Sequence, residues 1–192
     1  GTVLNCRPPA PCSGASTVGG WKAQALAISA LAQVLHRSPL SWRVTASWGA
    51  GIITPTISGP GRDRRAYVCT LIDGCMQGGG ARATKDGLNT SNIAGSTNTS
   101  VPNVETMEQR FPILYLKRGY VTDSAGAGKY RGGLAGEFVL KLHGVERTQC
   151  ISGYVGKVFP PQGFAGGQPG ITTRFLLKRS TDVDTRLQES TP

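Results

Sequence analysis

Apolar positions recur at three- and four-residue steps over residues 18–37: Trp21, Ala25, Ile28, Leu31 and Leu35 fall on one face, which predicts an amphipathic helix. Ser16 or Thr17 can cap its start through a side-chain oxygen, and Pro39 prevents continuation beyond Ser38. The face is rich in alanine, so the helix is expected to pack closely against a sheet. Beyond it the period changes. Short apolar runs at 42–48, 66–72, 113–121, 136–143, 149–155 and 173–179 carry β-branched or aromatic residues in partial alternation, which predicts strands. Phe138, Leu140 and Leu142 alternate with Val139, Lys141 and His143, as in a half-buried strand.

Residues 1–16 are rich in Pro, Cys and Gly, and Pro8-Pro9 excludes helix there. Two long polar connections, 78–101 and 160–170, interrupt the strands; connections of this length inside a compact domain are usually functional or interfacial. The predicted fold is α+β, strand-rich, with one long N-terminal helix and long Gly-rich loops. Residues 1–179 read as one unit and 180–192 as a polar tail. No period of 20 to 50 residues repeats, which excludes a solenoid.

Composition changes the picture in several places. The 27 glycines and 12 prolines among 192 residues follow no collagen-like period and punctuate short elements instead. The formal charge of +10 suits an acidic partner surface or an anionic substrate; the cations are dispersed rather than striped and no nucleic-acid-binding signature accompanies them, so nucleic acid is not expected. No apolar stretch approaches the length of a membrane span and no basic-then-apolar leader is visible. Five cysteines (Cys6, Cys12, Cys69, Cys75, Cys150) at irregular spacing are expected to be mostly reduced and buried. Cys69-x5-Cys75 is too loose for a zinc pair and His36 and His143 lie far from it in sequence, so no metal site is expected from this chain. His36, at a helix end, is expected to serve the last carbonyls. The chain opens without methionine and closes on a polar tail, and both ends read as borders of something larger or as those of a processed subunit.

Three constellations can carry chemistry. In the run Asp123-Ser124-Ala125-Gly126-Ala127-Gly128-Lys129-Tyr130-Arg131-Gly132-Gly133, glycines let the backbone turn sharply and approach another chain or a ligand. It is not a phosphate-binding Walker loop, because Asp123 stands where that loop needs glycine and Tyr130 where it needs a hydroxyl residue. Lys129 and Arg131 can neutralise an anion from the turn tip, with Gly126, Gly128 and Gly132 offering backbone; or Asp123 pairs with Arg131 and the run is an ordered connection. Glu105 and Glu108, three apart, would share a face of one helical turn and could divide acid and base roles. A capped turn neutralised by Arg110 is the alternative. Gly78-Gly79-Gly80 with Asp86-Gly87, a turn signature, is the third. No nucleophilic triad is supported.

In order, these segments resemble the C-terminal part of the hydantoinase B/oxoprolinase family, whose hallmark is an acid, a serine and a Gly-rich turn ending in arginine and two glycines. Residues 123–133 fit it, with Ala125 where glycine is more usual. Gly1-Thr2-Val3-Leu4-Asn5 with Pro8-Pro9, Gly79-Gly80-Ala81 with Asp86-Gly87, Asn98-Thr99, Pro102, Glu105, Glu108 and Pro112, and residues 163–170 are collinear with other family segments. The family's N-terminal metal-binding stretches and its terminal glycine-rich segment are absent from this sequence.

The resemblance implies a part of the B-type subunit of a cytoplasmic, hetero-oligomeric, ATP-dependent enzyme. A hydantoinase A-like partner would use ATP and magnesium to phosphorylate a carbonyl or amide oxygen of a small-molecule substrate. The B-type subunit would then hydrolyse a cyclic amide or carboxylate an enol phosphate. Any divalent metal would lie in the missing N-terminal part, not in this chain. The implied roles are charge neutralisation for Lys129 and Arg131, their orientation for Asp123, and site shaping for Glu105, Glu108 and Asp86. The alternative is a non-catalytic interface subunit of a large complex.

Overall fold

The structure, a computed structural model, describes residues 18–49, 54–91, 100–152 and 156–178. The expectations for residues 1–16, the Ser16 or Thr17 cap, the side chain of Trp21, Cys6, Cys12, Asn98, Thr99 and the tail 180–192 lie outside the described residues. The class is α+β and strand-rich: helices α1 (Val18–Leu35) and α2 (Val104–Arg110) accompany strands β1 (Thr56–Pro60), β2 (Ala66–Thr70), β3 (Ile113–Tyr120), β4 (Gly136–Leu142) and β5 (Gln149–Ile151).

Two antiparallel sheets form. One has the order β2-β1-β5, and the other is the hairpin β3-β4. In the first, Ile57 at the centre pairs with Cys69 on one side and Cys150 on the other, which sets all three on one face. Ile57, Cys69, Leu71, Met107 and Ile113 form the buried cluster, with Tyr67, Phe111, Tyr115 and Leu140 packed around it. The core therefore lies where β1 and β2 meet α2 and the start of β3. Burying each large apolar side chain there contributes about 1.5–3 kcal/mol.

The centre of that sheet is a strand that local pattern hides. Thr56-Ile57-Ser58-Gly59-Pro60 ends in two residues that read as breakers, yet Pro60 is the strand's last residue and Gly59 pairs with Tyr67. Three runs expected as strands differ. Residues 42–48 hold a 3-10 turn, Ser41–Arg43, and one bridge between Thr45 and Arg82. The run from 66 ends at Thr70 and passes into a second 3-10 turn, Ile72–Cys75. Residues 173–178 form no strand, though Thr173 N–H donates to the Gly156 carbonyl at 2.9 Å.

Among the described residues, the first helix does not lie on a strand as its alanine face suggested. Ser47 Oγ donates to Ser29 Oγ at 3.0 Å, and the His36 ring meets Phe164 edge-on at 5.6 Å, so connecting segments cover it. Ala32 is buried, but Leu31, expected on the inner face, is exposed beside Leu26 and Val34. His36 Nδ1 lies 2.7 Å from the Gln33 carbonyl and Ser38 Oγ donates to Leu35 O at 2.8 Å, which closes the helix end.

The second helix is positioned by polar contacts at both ends. Asn103 caps it, its side chain accepting from Thr106 N–H at 3.1 Å. At the other end Arg62, reaching across from the β1–β2 turn, donates to the carbonyls of Glu108 (2.7 Å) and Phe111 (2.9 Å). Those carbonyls have no partner inside the helix, and a cation there also suits the helix dipole.

Candidate functional site

The Gly-rich run joins β3 to β4, so a strand hairpin delivers it and fixes both its ends. Ser124, buried at the neck, donates from Oγ to the Val121 carbonyl (2.7 Å) and accepts from Ala135 N–H (2.9 Å), while Val121 N–H donates to Ala135 O (2.9 Å). Gly132 N–H closes an inner turn on the Gly126 carbonyl at 3.0 Å. Asp123 adopts φ 54°, a left-handed conformation that aspartate tolerates better than most residues.

Two other glycine segments pack against this loop, main chain on main chain. On one side lies 78–91: Gly133 N–H donates to Gly79 O (2.8 Å), Gly79 N–H to Leu88 O (2.8 Å), Gly87 N–H to Arg131 O (2.9 Å) and Thr90 N–H to Leu134 O (2.8 Å). On the other lies 160–171, where Gln168 N–H donates to Ala127 O (2.7 Å) and Ile171 N–H to Ser124 O (3.3 Å). Among the glycines of residues 123–133 the approach is closest at Gly133 and Gly126, where a Cβ would fall on the carbonyls of Leu88 and Gln168. Gly128 is less tight and Gly132 has room for a methyl, with no neighbour nearer than 3.6 Å. Three of the segments that sequence order singled out, 79–87, 123–133 and 163–170, thus meet at one junction.

Arg131 is committed within that junction. Its backbone N–H donates to Asp86 Oδ1 (3.0 Å), its Nε lies 3.5 Å from Asp86 Oδ2, and its Nη1 donates to Asn89 Oδ1 (3.3 Å) and the Gly132 carbonyl (2.9 Å). The Asn89 oxygen also accepts from Leu134 N–H at 2.9 Å, so one amide ties both ends of the Arg131–Leu134 stretch. Arg82 holds the other side of Asp86, donating from Nε and Nη2 to its carbonyl at 3.1 and 2.6 Å. The partner of Arg131 is therefore Asp86, 45 residues away, and not Asp123, which is exposed. Lys129 stands exposed at the loop tip with Nζ 5.6 Å from the Tyr130 ring centre.

Glu105 and Glu108 do occupy one short helix, but their surroundings differ. Glu105 is exposed in the first turn of α2. Glu108 Oε1 accepts Tyr115 N–H at 2.7 Å, beside the register shift that inserts Leu116 into β3. A carboxylate here supplies an acceptor where a bulge disturbs the ladder. The hydrogen bonds and ion pairs of these carboxylates, among the described residues, do not include Lys129, Arg131 or the expected neutraliser Arg110.

Sequence reading missed a buried charged cluster beneath the hairpin. Asp73 is fully buried in the Ile72–Cys75 turn; it takes the Tyr115 hydroxyl proton donor on Oδ2 at 2.8 Å and pairs through Oδ1 with Arg118 Nε at 3.0 Å. Arg118 Nη1 donates to Pro102 O at 2.7 Å and its guanidinium lies over the Tyr115 ring. Burial, and then the hydrogen bond to the Asp73 carboxylate, push the Tyr115 hydroxyl well above its ordinary pKa. Burial and the Asp73 charge likewise push the Cys69 and Cys75 thiols up. The one available signal was an aspartate inside the apolar run Leu71-Ile72-Asp73. Both thiols are free and buried, whereas Cys150 on β5 is exposed, contrary to the expectation of a buried residue.

Among the described residues, no group of three or more His, Cys, Asp or Glu side chains could hold a metal ion. No helix there is long and apolar enough to cross a membrane.

The family model described as hydantoinase B/oxoprolinase matches residues 1–191. The beta subunit of a caprolactamase from Pseudomonas jessenii is 28% identical over 171 residues, which is 88% of this chain and 28% of that protein. The delta subunit of an acetophenone carboxylase from Aromatoleum aromaticum is 30% identical over 114 residues, 59% of this chain and 17% of that protein. A nucleotide-free acetone carboxylase structure matches with a TM-score of 0.65 and 23% identity over 80% of this chain and 21% of its own, a likeness of fold. The chain thus spans less than a third of the length of these relatives.

Proposed function

The chain belongs to the hydantoinase B/oxoprolinase family, and from that membership we propose that it acts as part of a B-type subunit in an ATP-dependent enzyme working on an activated carbonyl or amide. The names of the relatives span both chemistries open to such a subunit, opening of a lactam and carboxylation of a ketone. In this reading a hydantoinase A-like partner spends ATP, with magnesium, to place a phosphoryl group on the substrate oxygen. Water then attacks the activated carbon and the C–N bond breaks to give the amine and an acyl phosphate, which a second water cleaves to carboxylate and phosphate; or the enol carbon bonds to the carbon of a carboxyl donor as the O–P bond breaks and water takes the phosphoryl group, releasing phosphate. The rest of the B-type subunit supplies any divalent metal.

The observation that carries this reading is the three-loop junction with an exposed cation at its tip. Lys129 is suited to neutralise charge developing on a phosphate or carboxylate, a contribution that grows where water is excluded. Arg131, gripped by Asp86 and Asn89, is better placed to hold the loop than to leave it for a ligand. Asp123, Gly126, Gly128 and Gly132 shape the same loop, and Glu105 and Glu108 lie on the α2 side, where Glu108 holds the start of β3.

In the assembled enzyme, Lys129→Ala and Arg131→Ala should abolish turnover of a lactam or hydantoin, or bicarbonate-dependent consumption of a ketone, while native mass spectrometry shows the complex unchanged. Dissociation of the complex by these variants would favour the other reading, an interface subunit. The saturation of Arg131 by internal partners is the observation on that side.

A further inference from the structure

Among the described residues, the segments flanking the glycine turn 160–170 carry four of the six large apolar side chains that are more than 70% exposed, the other two being Val34 and Val68. Val158 and Phe159 on one, and Leu176 and Leu177 on the other, are 71–77% exposed, and Ile171 is 43% exposed. These positions do not belong to scattered surface. Gly170 N–H donates to Pro161 O (3.0 Å) and Thr173 N–H to Gly156 O (2.9 Å), so residues 156–161 and 170–173 run side by side in opposite directions, which sets Val158 and Phe159 across from the stretch that begins with Ile171, while Leu176 and Leu177 continue the second segment beyond Thr173. The base of this ribbon is held by the Gln168–Ala127 and Ile171–Ser124 hydrogen bonds, which make it continuous with the junction. Arg174 and Lys178, both exposed, flank the apolar run Phe175-Leu176-Leu177 on the second segment.

Large apolar side chains left exposed along one hydrogen-bonded ribbon mark an interaction site, and cations beside them favour a partner whose rim is acidic. We propose that this ribbon is the docking surface for the remaining part of a B-type subunit, presenting an apolar face with an acidic border. Two observations choose that occupant. The matched stretch is 28% of the caprolactamase subunit and 17% of the carboxylase subunit, so most of a B-type subunit lies outside it and must contact it somewhere. The ribbon is also hydrogen-bonded to the Lys129 loop, so a part that docks on it is brought beside that loop. The proposal rests on the B-type reading above.

The test compares amide hydrogen exchange over residues 156–178 in the isolated chain and in the assembly it purifies with, whose sequences mass spectrometry identifies. The expected result is exchange slowed by about tenfold or more on assembly, with B-type sequence present, and release of the chain by Phe159→Asp or Leu176→Asp. Those exposed sites should leave the chain's circular dichroism unchanged, and Phe159→Ser provides a milder variant. Equal exchange in the two states, retention of the Asp variants in the assembly, or concentration-dependent self-association through the same segment (a second copy as occupant) would each overturn it. Loss of turnover in Lys129→Ala with assembly intact concerns the functional reading alone, so the two failures are separable.

Discussion

Arg131 and Asp86 hold each other twice, once through the arginine's backbone N–H at 3.0 Å and once through its Nε at 3.5 Å. The side chains are 43% and 49% exposed, so the charge attraction itself is worth about 1 kcal/mol at most. The main-chain bond matters more, because it fixes the turn. Asp86→Asn keeps an acceptor for that N–H and should cost under about 1 kcal/mol. Asp86→Ala removes it and should loosen the loop, read as faster amide exchange at residues 129–134 than in Asp86→Asn. Equal exchange in both variants would show that the charge, not the acceptor, sets the turn.

A second prediction concerns the buried carboxylate. Asp73→Asn leaves Arg118, only 18% exposed, without its counter-charge and should cost about 3 kcal/mol in urea unfolding. The double variant Asp73→Asn/Arg118→Gln should recover part of that loss. Purely additive costs would contradict a coupled pair.

Tyr115→Phe removes the hydrogen bond to Asp73 and should destabilise by about 1–2 kcal/mol at neutral pH. The sign of its pH dependence follows from the raised hydroxyl pKa. The folded protein keeps the proton above pH 10, near which a free tyrosine loses it, so the contribution is full below that pH and declines above it. The stability gap between wild type and variant should therefore narrow as pH rises past about 10. A gap that widens would refute the assignment.

The glycine junction makes a steric prediction with an internal control. Gly133→Ala would drive a methyl onto the Leu88 carbonyl and should cost about 3 kcal/mol, seen as a lowered Tm. Gly119→Ala on β3 meets nothing within 4 Å and should be neutral or slightly stabilising. If the two behaved alike, close backbone packing at Gly133 would not be what the sequence requires.

Among Cys69, Cys75 and Cys150, the exposed Cys150 should react first with a thiol reagent at neutral pH. Cys69 and Cys75 are buried and held as thiols, and should label only on unfolding. Simultaneous labelling of all three would indicate that the core opens locally.

What the sequence revealed follows the range of the forces involved. The hairpin strands and β2 were legible because their apolar patterns are local, and the family and the three glycine segments were legible because their order is specific. β1 was not, since Gly59-Pro60 reads as a breaker until Tyr67 and Thr148 are seen beside it. The exposure of Leu31 was hidden for the same reason: periodicity defines a face but not what covers it. At the site, Lys129 and Arg131 were visible as cations, but the partner of Arg131 lies 45 residues away and no local spacing points to it. Asp73, Tyr115 and Arg118 belong to three separate segments and meet only through the fold.

Because the junction is joined largely carbonyl to amide, with Asp86, Asn89, Ser124 and Arg131 as its side-chain ties, most of its shape is written in the main chain, and the exposed side chains outside those ties can vary without disturbing it. Under the proposed function, a frame of that kind would let one reaction be exchanged for another by replacing a few exposed residues. That offers a structural reason why subunits named for lactam cleavage and for ketone carboxylation can resemble the same short chain.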